Sequence, residues 1–114
     1  AILRSALDGL GGLGRFVQPG QSVALKVNAT WAYPPHTASA TDPDLLRAII
    51  RLLQETGAGR ITVMDHCSLD PGTAECLRVS GIGAVVVSEW LSAIASSAPE
   101  STVSAVPSAR PLLA

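Results

Sequence analysis

The sequence predicts an α/β fold built on a small parallel sheet, and three observations carry that expectation. Val23-Ala24-Leu25-Lys26-Val27-Asn28 and Arg60-Ile61-Thr62-Val63-Met64-Asp65 are short apolar runs bounded by turn signals, as strands are. Between them Leu45, Leu46, Ile49, Ile50, Leu52 and Leu53 recur at helical spacing. Strand, crossover helix and strand make a βαβ unit, whose strands run parallel.

In chain order, Ile2, Leu3, Ala6, Leu7 and Leu10 form the apolar side of a first amphipathic helix, and Gly11-Gly12 supplies the left-handed stop that helix ends favour. Gln18-Pro19-Gly20-Gln21 carries proline and glycine in the order of a type II turn, which leads into the first strand. That strand is apolar on both faces except at Lys26, the pattern of a buried parallel strand. From Ala29 to Ala40 no period survives, and the loop collects Thr30, Trp31, Tyr33, Pro34, Pro35 and His36. Loops of this length are often functional. A helix follows, started either by Asp42 as cap with Pro43 at its first position or by a Thr41 and Asp44 capping box, and ended by Gly57. After the second strand and the loop His66 to Gly72, Thr73 is expected to cap a short helix that ends near Gly81. Ile82 to Ala95 has strand propensity at Ala84-Val85-Val86-Val87, yet Ile82, Val86, Trp90 and Ile94 keep a helical period, which favours helix. Residues 1–95 thus form a partial α/β domain, Rossmann-like in plan, and the Ser/Ala/Pro-rich residues 96–114 a disordered tail. A start at Ala1 already in a helical pattern, and an end without a core-forming period, suggest part of a longer protein.

With 114 residues there is room for one core, and a formal net charge of -1 with 15% charged residues argues against a nucleic-acid partner. The apolar runs are far shorter than the roughly 20 residues of a membrane span, and no signal core is present, so the expectation is a cytoplasmic protein without membrane partners. Cys67 and Cys76 are too few for a disulfide scaffold and read as thiols.

The chemistry concentrates at the strand ends. In open parallel sheets, ligands bind beyond the carboxyl ends of the strands, where loops and helix amino-termini converge. Lys26 is the only lysine, and a lysine within an apolar strand asks for an anion, either a protein carboxylate such as Asp65 or Asp42 or a ligand. Lys26, Asn28, Thr41, Asp42, Asp65 and His66 are therefore the candidate ligand-binding residues for a small anionic molecule. Asp65, His66 and Cys67 place a carboxylate, an imidazole and a thiol in a row, but no standard metal spacing is present, so no metal is expected. Trp31 and Tyr33 are candidates to stack on a ligand or to pack on the sheet edge.

At these residues the chain resembles the bacterial and archaeal domain of unknown function 362 family. The likeness rests on Leu10-Gly11-Gly12, Phe16-Val17-Gln18-Pro19-Gly20, the Val23 to Asn28 strand end, Thr41-Asp42-Pro43, Gly57 to Asp65, Thr73, Glu75 and Ser80-Gly81-Ile82, over roughly residues 6 to 84. It departs from the family pattern with Val27 where proline is usual, lacks a strand before the first helix, and fades after about Ala84. The resemblance implies a biochemically uncharacterised domain. Some members carry a ferredoxin-like iron-sulfur module, whose cysteine clusters this chain lacks, so no cluster or other cofactor is assigned.

Two functions follow as expectations. One is an α/β domain binding a small anionic ligand or cofactor at the strand ends. The other is a non-catalytic interaction or accessory domain of a redox-related, iron-sulfur associated protein, docking on a protein partner or on the remainder of a longer chain. A pocket at Lys26, Asn28 and Asp65 favours the first and an exposed aromatic patch at Trp31 and Tyr33 the second.

Overall fold

A computed structural model describes residues 2–67, 72–95 and 102–107. Its elements are α1 (Ile2–Asp8), β1 (Val23–Lys26), α2 (Pro43–Thr56), β2 (Arg60–Asp65), α3 (Thr73–Val79), α4 (Ile82–Ala95) and β3 (Thr102–Pro107). The strands form one parallel sheet in the order β1-β2-β3. The βαβ unit is therefore as expected, with Val23 opposite Ile61 and Lys26 opposite Met64.

Local signals account for the central helix. Asp42 caps α2 by accepting hydrogen bonds from the backbone N–H groups of Asp44 and Leu45 at 2.8 and 3.1 Å. Pro43 sits where a missing N–H costs nothing, and Gly57 ends the helix at φ 93°. Of the two capping arrangements the Asp42 cap is the one formed. The Pro19-Gly20 turn closes through Gln21 N–H to the Gln18 carbonyl at 3.2 Å, with Gly20 at φ 82°, the values of a type II turn. It docks on the entry to β2: a Cβ on Gly59 would stand 2.8 Å from the Gly20 carbonyl oxygen, so only glycine fits there.

The core lies on one face of the sheet. Ile61 and Val63 of β2 pack with Val27 and Ala29, with Leu46, Ile50 and Leu53 of α2, and with Ile82, Val85 and Val86 of α4. The helical reading of residues 82–95 holds because this buried set follows the helical period. Glu89 shares that inward face and receives Arg47 at 3.5 Å and Arg51 at 3.2 Å from α2, tying the two helices together.

Four details differ from expectation. β1 is an edge strand, half-buried at Val23 and Leu25 and exposed at Ala24 and Lys26, because β2 pairs it on one side only and the sheet face that carries Lys26 and Met64 is not part of the core. α1 forms but buries no residue, since it touches mainly α2, where Arg4 pairs with Glu55. Thr73 lies inside α3, Gly72 takes the cap position, and the Thr73 hydroxyl accepts instead from the Cys67 N–H at 3.0 Å. Residues 102–107, within the segment expected to be a disordered tail, form β3 beside β2. β2 has a second edge whose backbone groups need partners, and the β-branched Thr102, Val103 and Val106 suit an extended chain. Residues 96–101 and 108–114 lie outside the described set.

Candidate functional site at the strand ends

At the carboxyl end of the sheet Asp65 is the centre of a small polar cluster. Its side chain is 3% exposed, on the core face of β2. One carboxylate oxygen pairs with the Lys26 ammonium, which has its side chain 67% exposed and also donates to the Val27 carbonyl. The other oxygen accepts the Ala29 N–H, and the His66 N–H donates to the same carboxylate. Burial pushes the Asp65 carboxyl up, but the hydrogen bonds from Lys26, Ala29 and His66 and the lysine charge outweigh it and hold the pKa below the ordinary carboxylate range.

The loop after β1 is built onto this anchor. Asn28 and Thr41 exchange two hydrogen bonds: the Asn28 N–H donates to the Thr41 hydroxyl oxygen at 2.9 Å and the Thr41 N–H to the Asn28 carbonyl at 2.8 Å. The Asn28 side-chain oxygen accepts from the Thr30 N–H and hydroxyl at 3.2 and 2.9 Å. A 3-10 turn at Pro35–Thr37 ends on Ala38 at φ 54° and returns the chain to Thr41. Beneath it Gly81 leaves room for Pro35 and Pro43, whose ring carbons would stand 3.2 Å from a Cβ at that position. Trp31, Tyr33 and His36 are exposed along the outside of the loop.

The six residues singled out from the sequence thus fall in one region, but with unequal freedom. Asp65 is consumed by its three donors, one oxygen of Asp42 by the α2 cap, and the Thr41 hydroxyl oxygen by Asn28. The Asn28 side-chain amide N–H groups have no partner among the described residues, Lys26 keeps one donor, and the His66 ring is exposed. Lys26 has thus found the internal carboxylate that a lysine in a strand requires, and still presents its charge to water.

Two further buried groups lie outside the six candidates. Cys76, on α3, is fully buried with its Sγ 2.8 Å from Cys67 Sγ, and the sulfurs lie 3.9 and 3.1 Å from the Thr30 carbonyl oxygen. Spacing in the chain gives no sign of this, because the two residues belong to different elements, Cys67 just after β2 and Cys76 within α3. Glu89 did leave a signal, as a charged residue at a buried position of an otherwise apolar helical period. Among the described residues no three His, Cys, Asp or Glu side chains converge to hold a metal ion. A groove of about 760 Å³ lies apart from the strand ends, between α3 and α4, lined by Leu77, Ala84, Val87 and Leu91.

A family model described as Domain of unknown function (DUF362) matches residues 23–112. The chain belongs to this family. The match begins later than the resemblance seen in the sequence and runs past Ala84 through β3, so β3 lies inside the family's domain. A thylakoid-associated protein of Synechocystis is 42% identical over 57 residues, covering 50% of this chain and 18% of that protein. The chain therefore spans less than a fifth of the length of this curated relative. No solved structure matches. No single described helix is long and apolar enough to cross a membrane; α3 and α4 meet at a bend of 78°.

Proposed function

We propose that this domain of the family binds a small anionic ligand at the carboxyl ends of β1 and β2, with Lys26, Asn28 and His66 as its donors and Thr41 and Asp42 at the rim. One observation carries the reading: hydrogen-bond capacity at the strand ends is unbalanced. Both oxygens of Asp65, one oxygen of Asp42 and the Thr41 hydroxyl oxygen are already engaged inside the protein, while donors of Lys26 and Asn28 still face outward beside an exposed imidazole. Spare donors at a surface favour ligands rich in acceptors, such as phosphates or carboxylates. Its place matches the general position of sites in Rossmann-like sheets. Asp65 then acts from behind, fixing the lysine and the loop, and the domain works in the cytoplasm.

The test is a thermal-shift series of the full-length protein with inorganic phosphate and small carboxylic acids, on wild type, Lys26→Met and Asn28→Ala. Binding at this site raises the wild-type melting temperature and loses that gain in both variants. A ligand that stabilises all three equally does not touch these residues.

A second reading rests on a different surface. Trp31 and Tyr33 stand exposed on the loop after β1, the aromatic surface that favours docking, and Val87, Trp90 and Leu91 of α4 are also large apolar residues left exposed; the Synechocystis relative is by name thylakoid-associated. In that reading the domain is an accessory module of a redox-related protein and docks through these residues. The same thermal series separates the two, because docking through apolar side chains predicts no response to phosphate or carboxylic acids.

A further inference from the structure

We propose that Cys67 and Cys76 are a reversible redox site, a buried dithiol that a small hydroperoxide converts to an intramolecular disulfide. The proposal is independent of any ligand at the strand ends. It stands on the placement of two sulfurs from different elements, one just after β2 and one in the middle of α3, at 2.8 Å. Closing to a disulfide bond requires a shortening of only about 0.8 Å.

The surroundings assign the roles. Cys76 is fully buried and its thiol donates toward Cys67; burial, and that hydrogen bond, push its pKa up to about 11, so it stays protonated at neutral pH. Cys67 is 5% exposed and accepts that hydrogen bond, while its own S–H faces the Thr30 carbonyl at 3.1 Å. Cys67 is therefore the sulfur that reacts first.

The chemistry balances in two steps. The Cys67 thiolate attacks one peroxide oxygen, an S–O bond forms, the O–O bond breaks, and the departing hydroxide takes up the proton that Cys67 released, giving water and a Cys67 sulfenic acid. The Cys76 sulfur then attacks the Cys67 sulfur, an S–S bond forms, and the expelled hydroxide takes the Cys76 proton as a second water. Two electrons pass from the sulfur pair to the peroxide. The Cys67 S–H disappears, so the Thr30 carbonyl 3.1 Å away loses that donor on the loop carrying Trp31 and Tyr33.

The experiment uses the reduced native chain, treated with hydrogen peroxide in the presence of dimedone, then denatured, alkylated with N-ethylmaleimide and weighed intact. The expected product is a monomer lighter by two hydrogens, with no alkylated thiol against two in the untreated protein, no dimedone adduct, and both thiols restored by dithiothreitol. In denatured protein the sulfurs are not held together, and dimedone captures the sulfenic acid. Cys76→Ser should yield the dimedone adduct at Cys67 in the native state, whereas Cys67→Ser should leave Cys76 unreacted. Two alkylated thiols after peroxide, a sulfinic acid at Cys67 beside an alkylated Cys76, or equal dimedone capture in native and denatured wild type would each overturn the proposal. The wild-type arms decide it even where a serine variant fails to fold.

Discussion

Asp65 on β2 and Glu89 on α4 are both carboxylates almost wholly removed from water, yet they are answered in different ways. Asp65 receives one lysine and two backbone N–H groups, all from the carboxyl ends of β1 and β2 and the segments that follow them. Glu89 receives two arginine side chains from the neighbouring helix, at 3.2 to 3.5 Å. Backbone donors fix a loop's path, whereas side-chain donors only hold one helix against another. Asp65 therefore organises a candidate site, and Glu89 organises packing. A buried charge marks function only when the groups that satisfy it also shape an accessible surface.

The largest effect is expected where all the compensation is side chain. Replacing both Arg47 and Arg51 by methionine leaves the Glu89 carboxylate buried without a partner, at a cost of about 3 to 5 kcal/mol in denaturant unfolding. A loss below about 1 kcal/mol would mean that Glu89 reaches water on its own, and the contrast with Asp65 would collapse.

Lys26→Met should cost less, about 1 to 3 kcal/mol, because the Ala29 and His66 N–H groups remain on Asp65 and the lysine is two-thirds exposed. Equal losses in the two experiments would show that the backbone donors contribute nothing.

Acid sharpens the comparison from the other side. The folded-state pKa of Asp65 lies below its unfolded value, so the stabilisation is fully present above the ordinary carboxylate range and is lost as pH falls through the depressed folded value. In Lys26→Met that loss should begin at a higher pH, since the ammonium that helps depress the pKa is gone. Unfolding curves collected from neutral to strongly acidic pH check this; superimposable acid limbs after correction for the neutral-pH difference would contradict it.

The smallest change is at the rim. Asp42→Ala removes the α2 cap, worth about 1 kcal/mol. Combined with Lys26→Met its effect should add within about 0.5 kcal/mol, because the two side chains share no partner. A larger coupling would place Asp42 inside the Asp65 cluster.

Legibility in the sequence followed the range of the interaction. Asp42, Pro43 and Gly57 announced both ends of α2 because caps and helix stops act within one turn. The helical reading of Ile82 to Ala95 prevails over the strand propensity of Ala84 to Val87 because α4 packs one stripe, Ile82, Val85, Val86 and Glu89, against the core, while Trp90, expected on that stripe, is exposed. The pairing of Lys26 was foreseen in kind, and Asp65 was one of two carboxylates named for it. The position of β1 was misread: its apolar composition suggested a buried strand, but burial depends on what lies beside it, and β1 is at the edge. Thr73 carries the composition of a cap, and the Cys67 N–H took its hydroxyl instead.

By itself the sequence determined the α/β class, the two central strands, the helix between them, and the family likeness, since all of these depend on backbone preferences and periodicities within a few residues. Only the tertiary structure decided that Asp65 would hold the Ala29 N–H across 36 residues of chain, that Glu89 would meet Arg47 across 42, that residues 102–107 would become a strand, and that two cysteines nine apart would touch. The physical reason is that these partners have no local preference for one another. They meet because burying Ile50, Ile61 and Ile82 in one core leaves their backbones nowhere else to run.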